Sequence, residues 1–179
     1  ACTGFEFTKN SYFSQSNNHP KVGAIWKNTG EIPNLVYKNS FDNLSCGAEA
    51  IGNNKGPGLQ GGLVFKCNNF GDDNVNNIDI GVWKENNSLL PQGIAASQGE
   101  WNGSSSQSSQ LANNLFSNNA QDIYNESGNY IFSYHYGSGN SRFAPYQAYN
   151  INEQSHSVAV SYNTDCPDLI TGHTSSALH

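Results

Sequence analysis

Ile78-Asp79-Ile80-Gly81-Val82-Trp83 decides how this chain is read: Ile78, Ile80 and Val82 take every second position, the period of a half-buried β-strand. The same alternation recurs on both sides. Upstream lie Phe5 and Phe7 flanking Glu6, then Lys21 to Lys27 (KVGAIWK), Leu35 to Lys38 (LVYK) and Gly62 to Cys67 (GLVFKC). Downstream, Tyr130 to Tyr136 (YIFSYHY) sets Tyr130, Phe132, Tyr134 and Tyr136 on one face, and Ser157 to Tyr162 (SVAVSY) aligns Val158, Val160 and Tyr162. Gly, Asn, Pro and Ser separate these segments, as turns require. Short strands at such spacing predict an all-β chain: a single antiparallel β-sandwich, jelly-roll-like, over residues 1–170. Thr171 to His179 has neither strand pattern nor charge and reads as a flexible tail. Only Leu111 to Asp122 has helical spacing, through Leu111, Leu115 and Phe116, and its amides form helix poorly. No repeat of fixed period is read along the chain.

Composition narrows the function. Asn supplies 27 of the 179 residues, beside 18 Gly, while charged residues make up only 12%. Polarity therefore comes from amides and hydroxyls, a surface suited to uncharged ligands such as sugars. The net charge of −6, with eight cationic side chains, provides no basic patch for nucleic acid. No apolar run reaches the roughly 20 residues of a membrane span. Cys2, Cys46, Cys67 and Cys166 show no CxxC spacing, so disulfides are expected before a metal site. Two bonds are expected, Cys46–Cys67 around a Gly-rich loop and Cys2–Cys166 joining the ends. The opening Ala1-Cys2, without Met, reads as a mature secreted form.

Two clusters carry candidate chemistry. Asp72, Asn74, Asn76 and Asp79 alternate oxygen donors through a turning loop, as a calcium site would. The loop is not an EF-hand, since Asn77 and Trp83 stand where Gly and Glu are needed. The second cluster is aromatic. Trp101 lies between Glu100 and Asn102 at the entrance of a polar loop running to Gln110, the mixture that stacks on a pyranose and reads its hydroxyls. Trp83, out of phase with Ile80 and Val82, is expected to face outward, and Tyr136 lies beside a Gly-rich turn.

Catalytic signatures are thin. HExxH and GxSxG are absent, and the seven Glu residues, Glu6 among them, are scattered. His135, between Tyr134 and Tyr136, falls on the polar face of its strand. The sequence thus leads to a secreted carbohydrate-binding domain of lectin or adhesin type. Its expected ligand residues are Trp101, Glu100, Asn102, Trp83 and Tyr136, with calcium as loop organiser. The alternatives are a subunit that binds protein partners in an extracellular assembly, and a glycan hydrolase needing two facing carboxylates.

Overall fold

The computed structural model describes residues 4–14, 21–71, 77–86, 88–103, 110–128, 130–158, 160 and 162–167. The acidic loop 72–76, Cys2 and the tail 171–179 lie outside the described residues.

Every pairing between named strands is parallel. This overturns the antiparallel sandwich. One column stacks β1 (Glu6–Thr8), β4 (Asn34–Tyr37) and β7 (Leu63–Lys66). A second stacks β2 (Ser11–Phe13) on β5 (Ser40–Asp42), continued by bridges through Asn69 to Leu115. A third stacks β3 (Val22–Lys27), β6 (Cys46–Ile51), β8 (Ile78–Trp83) and β10 (Gln121–Glu126). The last joins β9 (Ser97–Gln98), β11 (Ser133–Gly137) and β12 (Asn152–His156). Each turn of chain thus returns in register onto the turn before it, the architecture of a parallel β-solenoid. Alternation identifies strands, but hairpin turns would be needed to make them antiparallel, and the chain instead runs on around a coil.

A repeat does exist at the first corner of the coil. Phe7-Thr8-Lys9-Asn10-Ser11-Tyr12, Val36-Tyr37-Lys38-Asn39-Ser40-Phe41 and Phe65-Lys66-Cys67-Asn68-Asn69-Phe70 superpose, 29 residues apart. Leu111-Ala112-Asn113-Asn114-Leu115-Phe116 follows after 46. The corner residue before each ladder Asn (Lys9, Lys38, Cys67, Asn113) is left-handed, with φ between 45° and 57°. Such a backbone is uncommon for side chains other than Gly. Here it is held by an amide ladder. The backbone N–H and Nδ2 of Asn10 both donate to Oδ1 of Asn39, those of Asn39 to Asn68, and those of Asn68 to Asn114, all at 2.9–3.1 Å. The Nδ2 groups of Asn39, Asn68 and Asn114 also donate to the carbonyls of Phe7, Val36 and Phe65 in the preceding coil. Tyr134 Oη, accepting from Asn114 N and Nδ2, closes the series.

Beside the amides runs an aromatic column. Tyr12, Phe41, Phe70 and Phe116 stack at 5.2–6.0 Å with planes within 15°. Phe41, Phe70 and Phe116 are fully buried, so this column is the core of the solenoid. The helical spacing of Leu111 to Asp122 does not produce a helix: Leu111 and Phe116 enter the same core from extended chain.

The C-terminal segment straps the coils together. Val158 and Val160 belong to no strand; a Cβ on Gly137 would stand 2.1 Å from Val160, so the strap requires glycine there. Tyr162, in the short helix α1 (Tyr162–Asp165), donates from its hydroxyl to the Cys67 carbonyl at 2.6 Å. Cys166 is disulfide-bonded to Cys67, and Tyr37 Oη donates to the Pro167 carbonyl. The expected pairs Cys46–Cys67 and Cys2–Cys166 are thereby overturned. Cys67–Cys166 is the one disulfide among the described residues, and Cys46 is a buried free thiol on β6. Cys67 occupies the left-handed corner, and its sulfur is taken by Cys166 of the strap. No helix among the described residues is long and apolar enough to cross a membrane.

Candidate functional site

The Trp101 region forms a cleft where the coil is interrupted. Ser97 donates its N–H to the Leu59 carbonyl at 2.9 Å and its hydroxyl to the Gly99 carbonyl at 2.6 Å. Gly99, at φ 82°, turns the chain out of β9, and Glu100 N–H meets the Gln110 carbonyl where the excursion returns. Residues 104–109 of that excursion lie outside the described residues. Leu59, Ser97, Glu100, Trp101, Asn102 and His135 line a cavity of about 410 Å³. That falls within the range of small-ligand sites, roughly 300–1,000 Å³.

Aromatic and polar groups converge there. The indole of half-buried Trp101 lies against the His156 ring, centroids 4.5 Å apart and planes 23° apart. His156, on β12, faces His135 on β11, with Nε2 and Nδ1 3.0 Å apart. The two imidazole planes differ by 2° and their centroids are 5.2 Å apart. That separation nearly equals the N···N distance plus two ring radii, so the rings meet edge to edge rather than face to face. Burial lowers the pKa of both, and for His135 the neighbouring His156 lowers it further. Behind the cleft, burial pushes the Lys66 amine down to about 8, opposed by the Glu100 carboxylate. Glu100 is the single carboxylate among the described residues that line this cavity.

The structure therefore brings together Glu100, Trp101 and Asn102, and adds His135, His156, Leu59 and Ser97. Alternation marked His135 as outward, but nothing in the sequence pairs it with His156. Trp83 and Tyr136 lie elsewhere. Tyr136 is buried in the core against Tyr134. Trp83 lies half-buried on the outer face of the third column, folded over Gly81, where a Cβ would meet the indole Nε1 at 2.7 Å. It continues through Tyr124 to Tyr149, each step 5.2 Å, as an outer aromatic row.

Of the acidic cluster, Asp72, Asn74 and Asn76 lie outside the described residues. Asp79 is buried; its Oδ2 accepts from Ser117 N–H at 2.7 Å, and Asp122 stands at the same register position on the next coil. Among the described residues no group of three or more His, Cys, Asp or Glu is placed to hold a metal. A larger cavity of about 560 Å³ opens at the first coil, lined by Tyr12, Phe13, Lys21, Val22, Leu44 and neighbours. Ser11, Ser14 and Lys21 supply its polar groups, and Lys21 Nζ donates to Ser14 Oγ, but no Trp or carboxylate lines it among the described residues. Comparison with protein-family models, with curated proteins and with solved structures gives no match to this chain.

Proposed function

We propose that this protein is a secreted carbohydrate-binding domain that takes a neutral glycan in the Trp101 cleft. The observation that carries the reading is the convergence of an indole, a carboxylate, an amide and an imidazole on one cavity of about 410 Å³. The indole stacks on the C–H face of a pyranose, while Glu100, Asn102 and His135 read hydroxyls around it. A disulfide that closes a 99-residue separation supports an oxidising compartment.

A glycan array with calcium, repeated in EDTA, identifies the class; titration calorimetry with Trp101→Ala then tests the site. Binding should fall by roughly tenfold or more, about 1.4 kcal/mol, when the indole is removed. Unchanged affinity in that variant would overturn the assignment. Loss of binding in EDTA would give loop 72–76 a calcium role.

A specific observation favours a protein-partner reading at a different place. β1 and β3 each end their sheet order, and Phe13 and Ile25 on the first coil are 68% and 55% exposed. Edges of that kind template association. A mass that rises with concentration, and reverts with Ile25→Lys, would select it.

A further inference from the structure

We propose that His135 and His156 work as one proton-sharing pair that holds the Trp101 cleft, so that acid switches glycan binding off. The inference deepens the carbohydrate reading and rests on it. Three contacts carry it: the 3.0 Å Nδ1···Nε2 approach, the near-coplanar rings, and the Trp101 indole against His156. Among the described residues this hydrogen bond is the only one either imidazole side chain makes.

Counting protons gives the switch its sense. Two neutral imidazoles carry two N–H groups, one of which lies in the shared bond. A third proton goes to an outward-facing nitrogen, and the shared bond survives. The fourth must go to the second facing nitrogen, setting two N–H donors and two positive rings against each other at a distance made for one hydrogen. That step breaks the pair. Because His156 is also the surface on which Trp101 lies, the cleft loses its aromatic wall with it.

The charged groups around the pair act on the same balance. Glu100 lines the cleft beside His135 and acts on Lys66 of β7, and Glu153 on β12 is held toward the neutral form by burial. Burial of the rings opposes protonation in both. The fourth proton therefore binds well below the ordinary imidazole range of about 6.5. At neutral pH the pair is intact and the cleft is open for ligand.

Imidazole 15N NMR across pH 4 to 8, on the intact chain, reads the pair directly. Of the five histidines, two should titrate in linked steps, the lower of them below the ordinary imidazole range. His156→Gln keeps a hydrogen-bonding group beside His135 and should collapse this to a single step. Two independent, ordinary titrations in the wild type would overturn the pair. Affinity for the glycan found on the array should fall roughly tenfold between pH 7 and 4.5 in the wild type; His156→Gln, which also removes the ring under Trp101, should bind more weakly at pH 7 but change by under about threefold from its own pH 7 value. Binding that survives acid in the wild type overturns the switch alone. A protein that binds no glycan at pH 7 overturns the function and the switch together.

Discussion

The amide ladder and the Trp101 cleft are made from the same residue types and do opposite things with them. In the ladder, Asn39, Asn68 and Asn114 are buried and hydrogen-bonded on every side, with aromatic rings stacked alongside. In the cleft, Glu100 and Asn102 stand exposed beside an indole with one neighbour ring. Repetition makes the difference. Where the corner recurs in every coil, each amide finds its copy above and below. Where the coil is broken after β9, amides and aromatics face a cavity. Asparagine content alone therefore does not separate a sugar-reading surface from a solenoid corner.

The largest test of that contrast is Asn68→Ala. It deprives the Asn39 N–H and Nδ2 of their acceptor and the Val36 carbonyl of its donor, all inside the protein. Buried groups left unsatisfied cost about 1–3 kcal/mol each, so the variant should lose about 4 kcal/mol in urea or thermal unfolding. A loss under about 1 kcal/mol would mean that the ladder only decorates the corner.

This also locates where the sequence was legible. Ile78 to Trp83 is read correctly as a strand, and so are the centres of Lys21 to Lys27, Leu35 to Lys38 and Gly62 to Cys67. Strand direction was not legible, because alternation has the same period in parallel and antiparallel sheets. The corner repeat is hidden in the sequence because coil lengths vary beyond it, and because Lys-Asn-Ser has the composition of a solvated turn. Glu100, Trp101 and Asn102 were legible as a local mixture. His156 was not, since its place beside His135 comes from β11–β12 pairing.

Asp79 and Asp122 are an acidic version of the ladder, and the middle-sized test. The two carboxyls stand at the same register on neighbouring coils, and Asp79 acts on Asp122 to lower its pKa. Asp122 also accepts from the N–H groups of Asn118 and Tyr146. Burial raises its pKa to about 6 despite those bonds and the nearby Arg142. A carboxyl that holds its proton more tightly folded than unfolded makes the folded state the greater proton binder, so stability falls as pH rises. The contribution is fully present below about 3.8 and lost as pH climbs through about 6. Between pH 4 and 8 this should amount to about 1–3 kcal/mol. Asp79→Asn keeps an acceptor for Ser117, offers Asp122 an N–H, and should flatten that slope. An unchanged slope would show that the proton responsible lies elsewhere.

The smallest stability effect separates the outer aromatic row from the cleft. Tyr149 and Trp101 are alike on the surface of the coil: each is partly exposed and each lies against one neighbouring ring, Tyr124 and His156 respectively. Removing either ring should cost only about 0.5–1.5 kcal/mol of stability, the worth of one stacked pair. Their surroundings differ. Trp101 borders a cavity with polar groups of three kinds. A sugar needs hydroxyl-reading groups around the ring on which it stacks, and the Trp101 cavity provides them. Tyr149→Ala should therefore leave glycan affinity within about twofold of wild type, at a melting temperature matching that of Trp101→Ala, which lowers it roughly tenfold or more. Equal loss of binding in the two variants would extend the site across the coil surface to the outer row.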